Sequence, residues 1–168
     1  MLAMTLSDSA ASPRFTEALR ELGLEAVGAQ VRRFPDATRT AVEAAAAVGC
    51  ELGEIVKSLI FTADGEPVLV LVDGASRVDV ERVRQELGAA SVKRAGAELV
   101  RETTGYAIGG VPPFGHRTKT RVLADRGLLD HDVVWAAAGT PHTVFPLDPA
   151  SLVAHAGGTV VDVRERAA

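Results

Sequence analysis

Glu54-Ile55-Val56-Lys57-Ser58-Leu59-Ile60-Phe61-Thr62-Ala63-Asp64-Gly65-Glu66-Pro67-Val68-Leu69-Val70-Leu71-Val72 is the stretch that decides the fold. Asp64-Gly65 lies between two apolar runs. Tight two-residue turns favour this pair because it tolerates positive φ, so the stretch reads as a β-hairpin with strands over 56–63 and 67–72. The second strand is apolar on both faces, which predicts a central position in a sheet. The first carries one discordant residue, Lys57. An ammonium in such a run costs several kcal/mol unless it reaches water or a partner. One reading is a stem laid on apolar neighbours with its head in solvent. The other is a lysine at the mouth of a pocket, placed to hold a phosphate as a point charge.

Working outward, Ser12-Pro13 predicts a helix start, with Phe15, Leu19 and Leu22 on one face and Gly23 at the end. Residues 25–32 read as a strand. Thr40-Ala41-Val42-Glu43 fits a capping box, and the helix it opens runs through Ala44 to Ala47 and stops at Gly49. Asp79 caps a helix to about Leu87, and a short helix spans about 95–102. Strands follow over 121–125, 133–138 and 143–147. Asp148-Pro149 opens another helix, and 160–163 closes the fold as a last strand. The fold class is therefore α+β: a single domain around a mixed, mostly antiparallel sheet with flanking helices, the sheet open or partly closed into a barrel.

Composition narrows the function. Apolar residues at 47% and charged residues at 24% give a globular balance, and 168 residues suffice for one domain, 1–168, with a real core. Aromatics at 4% leave the core to Val, Leu, Ile and Ala. One cysteine, Cys50, excludes an internal disulfide and a cysteine-based metal cluster. The first six residues carry no basic leader pattern, and no run approaches the roughly 20 apolar residues that span a bilayer. The expectation is a cytoplasmic protein without a membrane partner. A net charge of −4 argues against nonspecific coating of nucleic acid, which rests on many phosphate contacts. Recognition of one RNA end by a local patch stays open, with Arg77, Arg82, Arg84, Lys93, Arg94, Arg101, Arg117, Lys119 and Arg121 as the available cations. With no helix-turn-helix signature or basic stripe, DNA is not an expected partner.

The usual chemical motifs are missing. No dinucleotide fingerprint, P-loop, zinc-protease motif or Gly-x-Ser-x-Gly elbow occurs. His116, His131, His142 and His155 lack ligand spacing, so neither a metal nor a cofactor is expected. What remains is Lys57 and a loop rich in Gly and Pro, Gly109-Gly110-Val111-Pro112-Pro113-Phe114-Gly115-His116. Glycines let backbone amides approach a ligand, and prolines hold the loop in one shape. Such amides can select a small ligand and stabilise an oxyanion, though a rigid connection without a ligand fits the loop equally well.

Three blocks carry a family resemblance: Ile55 to Phe61 around Lys57, Thr104-Gly105-Tyr106-Ala107-Ile108-Gly109-Gly110-Val111-Pro112-Pro113-Phe114-Gly115, and Gly139-Thr140 through Asp148-Pro149-Ala150-Ser151-Leu152. In order and spacing they resemble the YbaK/EbsC-type proteins, relatives of the editing domain inserted in bacterial prolyl-tRNA synthetase. The resemblance covers about residues 12–163. It implies hydrolysis of the ester of a tRNA mischarged with a small amino acid, on tRNA-Pro or a similar acceptor. It also implies a free-standing editor, since synthetase motifs do not fit in this length, with tRNA as partner and a synthetase as a second one. The alternative is a noncatalytic module on the same fold that binds a tRNA end, a nucleotide or a synthetase.

By the resemblance, Lys57 places the terminal adenosine phosphate or the substrate. Gly109, Gly110 and Pro113 belong to the family's Gly-x-x-x-Pro loop, whose backbone shapes the aminoacyl pocket. Val111, Pro112, Phe114, Gly115 and His116, with Gly139, Thr140 and His142 of the second loop, are the expected substrate-binding residues. The attacking water is oriented in this family by backbone groups and a ribose hydroxyl, in keeping with the lack of a visible nucleophile. Two positions depart from the pattern. Gly139-Thr140-Pro141-His142 stands where cysteine-removing members have a Gly-Lys-Arg-Gly-like turn, and His116 stands where they have a glutamine-like residue. Neither histidine inherits a family role, and the amino acid removed is not fixed by the resemblance.

Overall fold

The computed structural model describes residues 11–165, so the reading of the first six residues lies outside it. The predicted hairpin is present. Strand β2 (Val56–Ala63) pairs antiparallel with β3 (Glu66–Asp73) in an unbroken register from Val56–Asp73 to Ala63–Glu66. Asp64 at φ 51° and Gly65 at φ 86° make the turn between them. Val68 to Val72 are each 1% exposed or less. Burying each of these side chains contributes roughly 1.5–3 kcal/mol, which makes β3 the chief apolar investment of the fold.

The backbone groups of a strand this deeply buried must be paired on both edges. The sheet runs β4-β2-β3-β5-β8, with β4 (Val92–Arg94), β5 (Arg121–Asp125) and β8 (Thr159–Val161). β5 is parallel to both β3 and β8, and β4 is antiparallel to β2. A second sheet, β1-β7-β6, is antiparallel throughout and comprises β1 (Arg32–Arg33), β6 (Val134–Ala137) and β7 (Thr143–Leu147). Two open sheets thus replace the single sheet expected from the sequence, and they do not close into a barrel. They touch through an isolated bridge between Ile55 and Trp135.

Six α-helices are described: α1 (Pro13–Glu21), α2 (Glu25–Gly28), α3 (Ala41–Val48), α4 (Val80–Leu87), α5 (Ala97–Thr104) and α6 (Pro149–Ala156). The caps are those the sequence predicts. Ser12 accepts from Phe15 N–H, Thr40 from Glu43 N–H, Asp79 from Glu81 N–H, and Asp148 from Ser151 N–H. Each satisfies an amide that the first helical turn leaves unpaired. Residues 25–32 are a correction. They form α2 and reach extended structure only at Arg32. The run has one fully buried side chain, Val27, and a single helical turn carries it into the core beside Leu19. Short β4 escaped prediction because two of its three residues are charged and exposed.

One core joins the two sheets. Val56, Ile60, Leu69 and Leu71 of the larger sheet meet Val134, Ala136 and Phe145 of the smaller, with Phe15 and Leu19 of α1 and Leu152 of α6 closing the ends. The opposite face of β2–β3 packs Phe61 and Val70 on Val83 of α4. The C-terminal segment is fastened through Asp125. Its buried carboxylate accepts from Val163 N–H at 2.9 Å and Gly127 N–H at 2.8 Å, and pairs with Arg164 Nε at 2.8 Å. Removing this carboxylate strands buried donors. Asp125→Ala should therefore lose about 3 kcal/mol or more in urea denaturation. A loss under about 1 kcal/mol would show that the latch contributes little.

Candidate functional site

Between the two sheets β2 runs past the end of β4, and a cavity of about 260 Å³ opens there. Its floor and walls are mostly apolar, with Ile55, Val56, Ile60, Val100, Val111 and Trp135 among them. Three cations line it: Lys57, Arg39 just before α3, and Arg94 of β4. None of the three is in an ion pair among the described residues, and no Asp or Glu lines the cavity. A site this positive in a chain of net charge −4 is a local arrangement that the composition conceals.

Lys57 is half-buried, and its Nζ donates to the Ser76 carbonyl at 2.5 Å. Desolvation lowers its pKa, Asp73 opposes that, and Arg94 and Arg77 add to the lowering. Burial thus disfavours the charged form of this lysine, and an anion bound beside it would favour that form. Alternation along β2 puts its side chain on the face of Leu59 and Phe61, away from Val56 and Ile60. Arg94 lies over the Phe61 ring on that face, 5.8 Å from its centroid.

The Gly/Pro loop enters the cavity only near its start, through Gly109 and Val111, with Ile108 just before it. Gly109 has φ 93°, a conformation that side chains rarely adopt. Gly110 does not offer a free amide, because its N–H donates to the Ala107 carbonyl at 3.0 Å. Its glycine character has another cause. A Cβ there would stand 2.8 Å from Thr140 Cα, since the two special loops press backbone on backbone.

Pro112, Pro113, Phe114, Gly115 and His116 stand behind the cavity lining. Phe114 is an anchor in the core, with its ring centroid 5.6 Å from Phe15 and 5.9 Å from Phe145. His116 Nε2 lies 2.6 Å from the Pro112 carbonyl, and a carbonyl only accepts, so Nε2 carries the proton. Burial pushes the imidazole below its ordinary pKa, and the bond to Pro112 opposes this. Tyr106 Oη donates to the Gly115 carbonyl at 2.9 Å, and burial raises its pKa to about 12. Both side chains hold the loop's shape from behind.

Gly139, Thr140 and His142 also lie outside the lining. Thr140 Oγ1 shares a hydrogen bond with Thr143 Oγ1, and His142 Nδ1 is 3.3 Å from the Phe34 carbonyl. The Pro141 carbonyl accepts from both Thr38 N–H and Thr38 Oγ1. The second loop thereby ties down the segment that carries Arg39 to the mouth. Lys57, Gly109 and Val111 are the expected residues that the fold brings together at the cavity. Arg39, Trp135 and Thr143 are not among the expected site residues, and Arg94 is expected only as one of the cations available to an RNA end. The sole local signal was the capping box after Arg39, which places it at a helix entrance. Among the described residues no group of three or more His, Cys, Asp or Glu could hold a metal ion, and no helix is long and apolar enough to cross a membrane.

Comparison with known proteins gives the chain relatives of the same fold. Over 123 residues the chain is 32% identical to the uncharacterized protein YwhH of Bacillus subtilis (strain 168), covering 73% of this chain and 78% of that one. It is 38% identical over 82 residues to the proline–tRNA ligase of Maridesulfovibrio salexigens, covering 49% of this chain but only 14% of the ligase. The crystal structure of a proposed trans-editing enzyme for prolyl tRNA synthetase superposes with a TM-score of 0.85 at 43% identity, over 92% of this chain and 99% of that one. The family model for the aminoacyl-tRNA editing domain matches residues 35–154, which hold Lys57, both special loops and every residue lining the cavity. The chain belongs to the aminoacyl-tRNA editing domain family.

Proposed function

We propose that this protein is a hydrolase that removes a small, wrongly attached amino acid from the 3′ end of a tRNA, acting in trans. The carrying observation is the cavity: three cations that form no ion pair among the described residues, around an apolar floor with no carboxylate among its lining residues. An apolar floor suits a small aliphatic side chain better than a polar or charged one. The cations suit the phosphates of a tRNA terminus, and the N-terminal end of α3, at Thr40 and Ala41, adds its positive dipole to the same wall. The editing-domain family, the prolyl-tRNA ligase relatives and the trans-editing structural neighbour support tRNA-Pro or a similar acceptor.

In this reading Lys57 and Arg94 hold the terminal phosphate, and the backbone at Gly109 and Val111 borders the aminoacyl group. Water attacks the ester carbonyl, the bond to the ribose oxygen breaks, and the ribose oxygen leaves with a proton. A deacylation panel with Ala-, Cys-, Ser-, Thr- and Pro-charged tRNA tests the assignment. One small noncognate residue should be released fastest. Tight tRNA binding with release of none would make the protein a noncatalytic tRNA-end module.

Two outcomes follow for Lys57. Lys57→Ala should fold normally and deacylate roughly ten-fold or more slowly, because a charged hydrogen bond contributes about 1.5–3 kcal/mol. Wild-type rates in a folded variant would remove Lys57 from the site. The second outcome concerns pH. The ammonium is charged only below its pKa, and burial brings that pKa below the ordinary 10.5. Its charge is therefore lost earlier than a free lysine's as pH rises. Affinity for uncharged tRNA at fixed salt should weaken on the alkaline side in wild type. It should stay flatter in Lys57→Arg, whose guanidinium remains charged. Parallel profiles would show that this charge does not hold the RNA.

A further inference from the structure

Ser58 follows Lys57 and lines the same cavity, and two features of it are unaccounted for. Its hydroxyl is enclosed and has no hydrogen-bond partner, alone in this among the buried side-chain polar atoms of the described residues. A buried hydroxyl left unpaired costs about 1–3 kcal/mol, and native proteins rarely keep one without use. Its main chain is open as well. Ala95 N–H donates to the Ile60 carbonyl at 3.0 Å, so Ile60 directs its backbone groups away from β3. In an antiparallel strand every second residue points the same way, so Ser58 does too. Continuing that register would set Ala97 opposite Ser58, but Ala97 already begins α5. On the other side the edge closes again at the Ile55–Trp135 bridge. The gap between these two closures is the cavity, and Ser58 N–H faces it.

The chemistry is narrowed by the surroundings. Ser58 is not placed as an activated nucleophile. Lys57, its neighbour, projects from the opposite face and its Nζ donates to Ser76, so no base lies within hydrogen-bond reach of Ser58 Oγ. With three cations and no carboxylate on the walls, the field favours negative charge. Gly110 N–H is already bonded to Ala107, which removes one amide donor from the Gly/Pro loop.

We propose that Ser58 is the oxyanion-binding residue of the site: its main-chain N–H, at the open edge of β2, and its hydroxyl donate to the ester carbonyl oxygen of an aminoacyl-tRNA. This rests on the deacylase reading above. Water adds to the carbonyl carbon, and the carbonyl electron pair moves onto the oxygen held by Ser58. The pair returns as the bond to the ribose oxygen breaks, and the proton lost by the water ends on that oxygen. The products are the free amino acid and tRNA. A serine hydroxyl has three staggered positions about χ1, so one bond rotation is available to bring it to a partner arriving at the edge.

The test compares wild type, Ser58→Ala and Ser58→Thr in single-turnover hydrolysis of the best substrate from the panel. Affinity for uncharged tRNA and the thermal midpoint are measured alongside. Loss of an oxyanion donor should slow Ser58→Ala by about ten-fold or more with unchanged tRNA affinity. Its thermal midpoint should be equal or higher, because an unpaired buried hydroxyl has been removed. Ser58→Thr, which keeps the hydroxyl, should recover most of the rate. A wild-type rate in Ser58→Ala overturns the hydroxyl's role, as does a rate loss that tracks tRNA affinity or a lowered midpoint. If wild type releases no amino acid, the deacylase reading falls and this assignment with it. If wild type is active and Ser58→Ala is its equal, only this assignment falls.

Discussion

The pairing of β2 with β3 is the constraint on which the rest of the molecule depends. β3 is buried on both faces and both edges, so everything else is arranged to cover it. β2 covers one edge and is itself only partly covered. β4 pairs with it at Phe61, Thr62 and Ala63, and the smaller sheet meets it again at Ile55. The stretch left between these contacts has a strand's geometry without a strand's partner. A fold that must bury its central strand thereby keeps a rigid, polar backbone edge at the bottom of a cleft. Sites built on such elements hold their geometry better than sites on loops alone.

The loops complete the cleft by bracing one another. Gly110 lies against Thr140, Pro141 holds Thr38, and Phe114 anchors the Gly/Pro loop among Phe15 and Phe145. Most residues of these loops therefore determine the position of the lining without being part of it. Their glycines are required by close backbone approach and by positive φ, and their aromatic and histidine side chains point inward to hold shape. This division explains how a loop can carry a family's signature while only its first residues meet the cavity.

The hairpin, the central position of β3 and the helix caps were legible in the sequence because each is decided by neighbours a few residues apart. Asp64-Gly65, Ser12-Pro13 and Asp148-Pro149 are local signals, and the alternation along β2 and β3 is too. Lys57 stood out because a charge in an apolar run is a local contradiction. The cationic mouth did not stand out. Arg39 and Arg94 are 55 positions apart in the chain and look like ordinary surface residues until β4 and the start of α3 bring them to one wall. The use of Gly110 N–H in a turn, and the open edge at Ser58, depend on where other segments end. Residues 25–32 misled because a single buried valine leaves too little pattern to separate one helical turn from a short strand.

The two parallel pairings of β5 bear on how the chain is made. β3 ends at Asp73, but its partner on the far edge begins at Arg121, and the strand covering that partner begins at Thr159. During synthesis a segment apolar on both faces thus leaves the ribosome well before the strands that will shield it. At about 5–20 residues per second the interval from Asp73 to Arg121 lasts on the order of several seconds, during which the β3 edge of the hairpin has no strand beside it. The Asp125–Arg164 latch forms later still, once Arg164 has been made. The central strand is therefore shielded only by segments made well after it, which leaves the isolated hairpin with apolar surface to protect in the meantime.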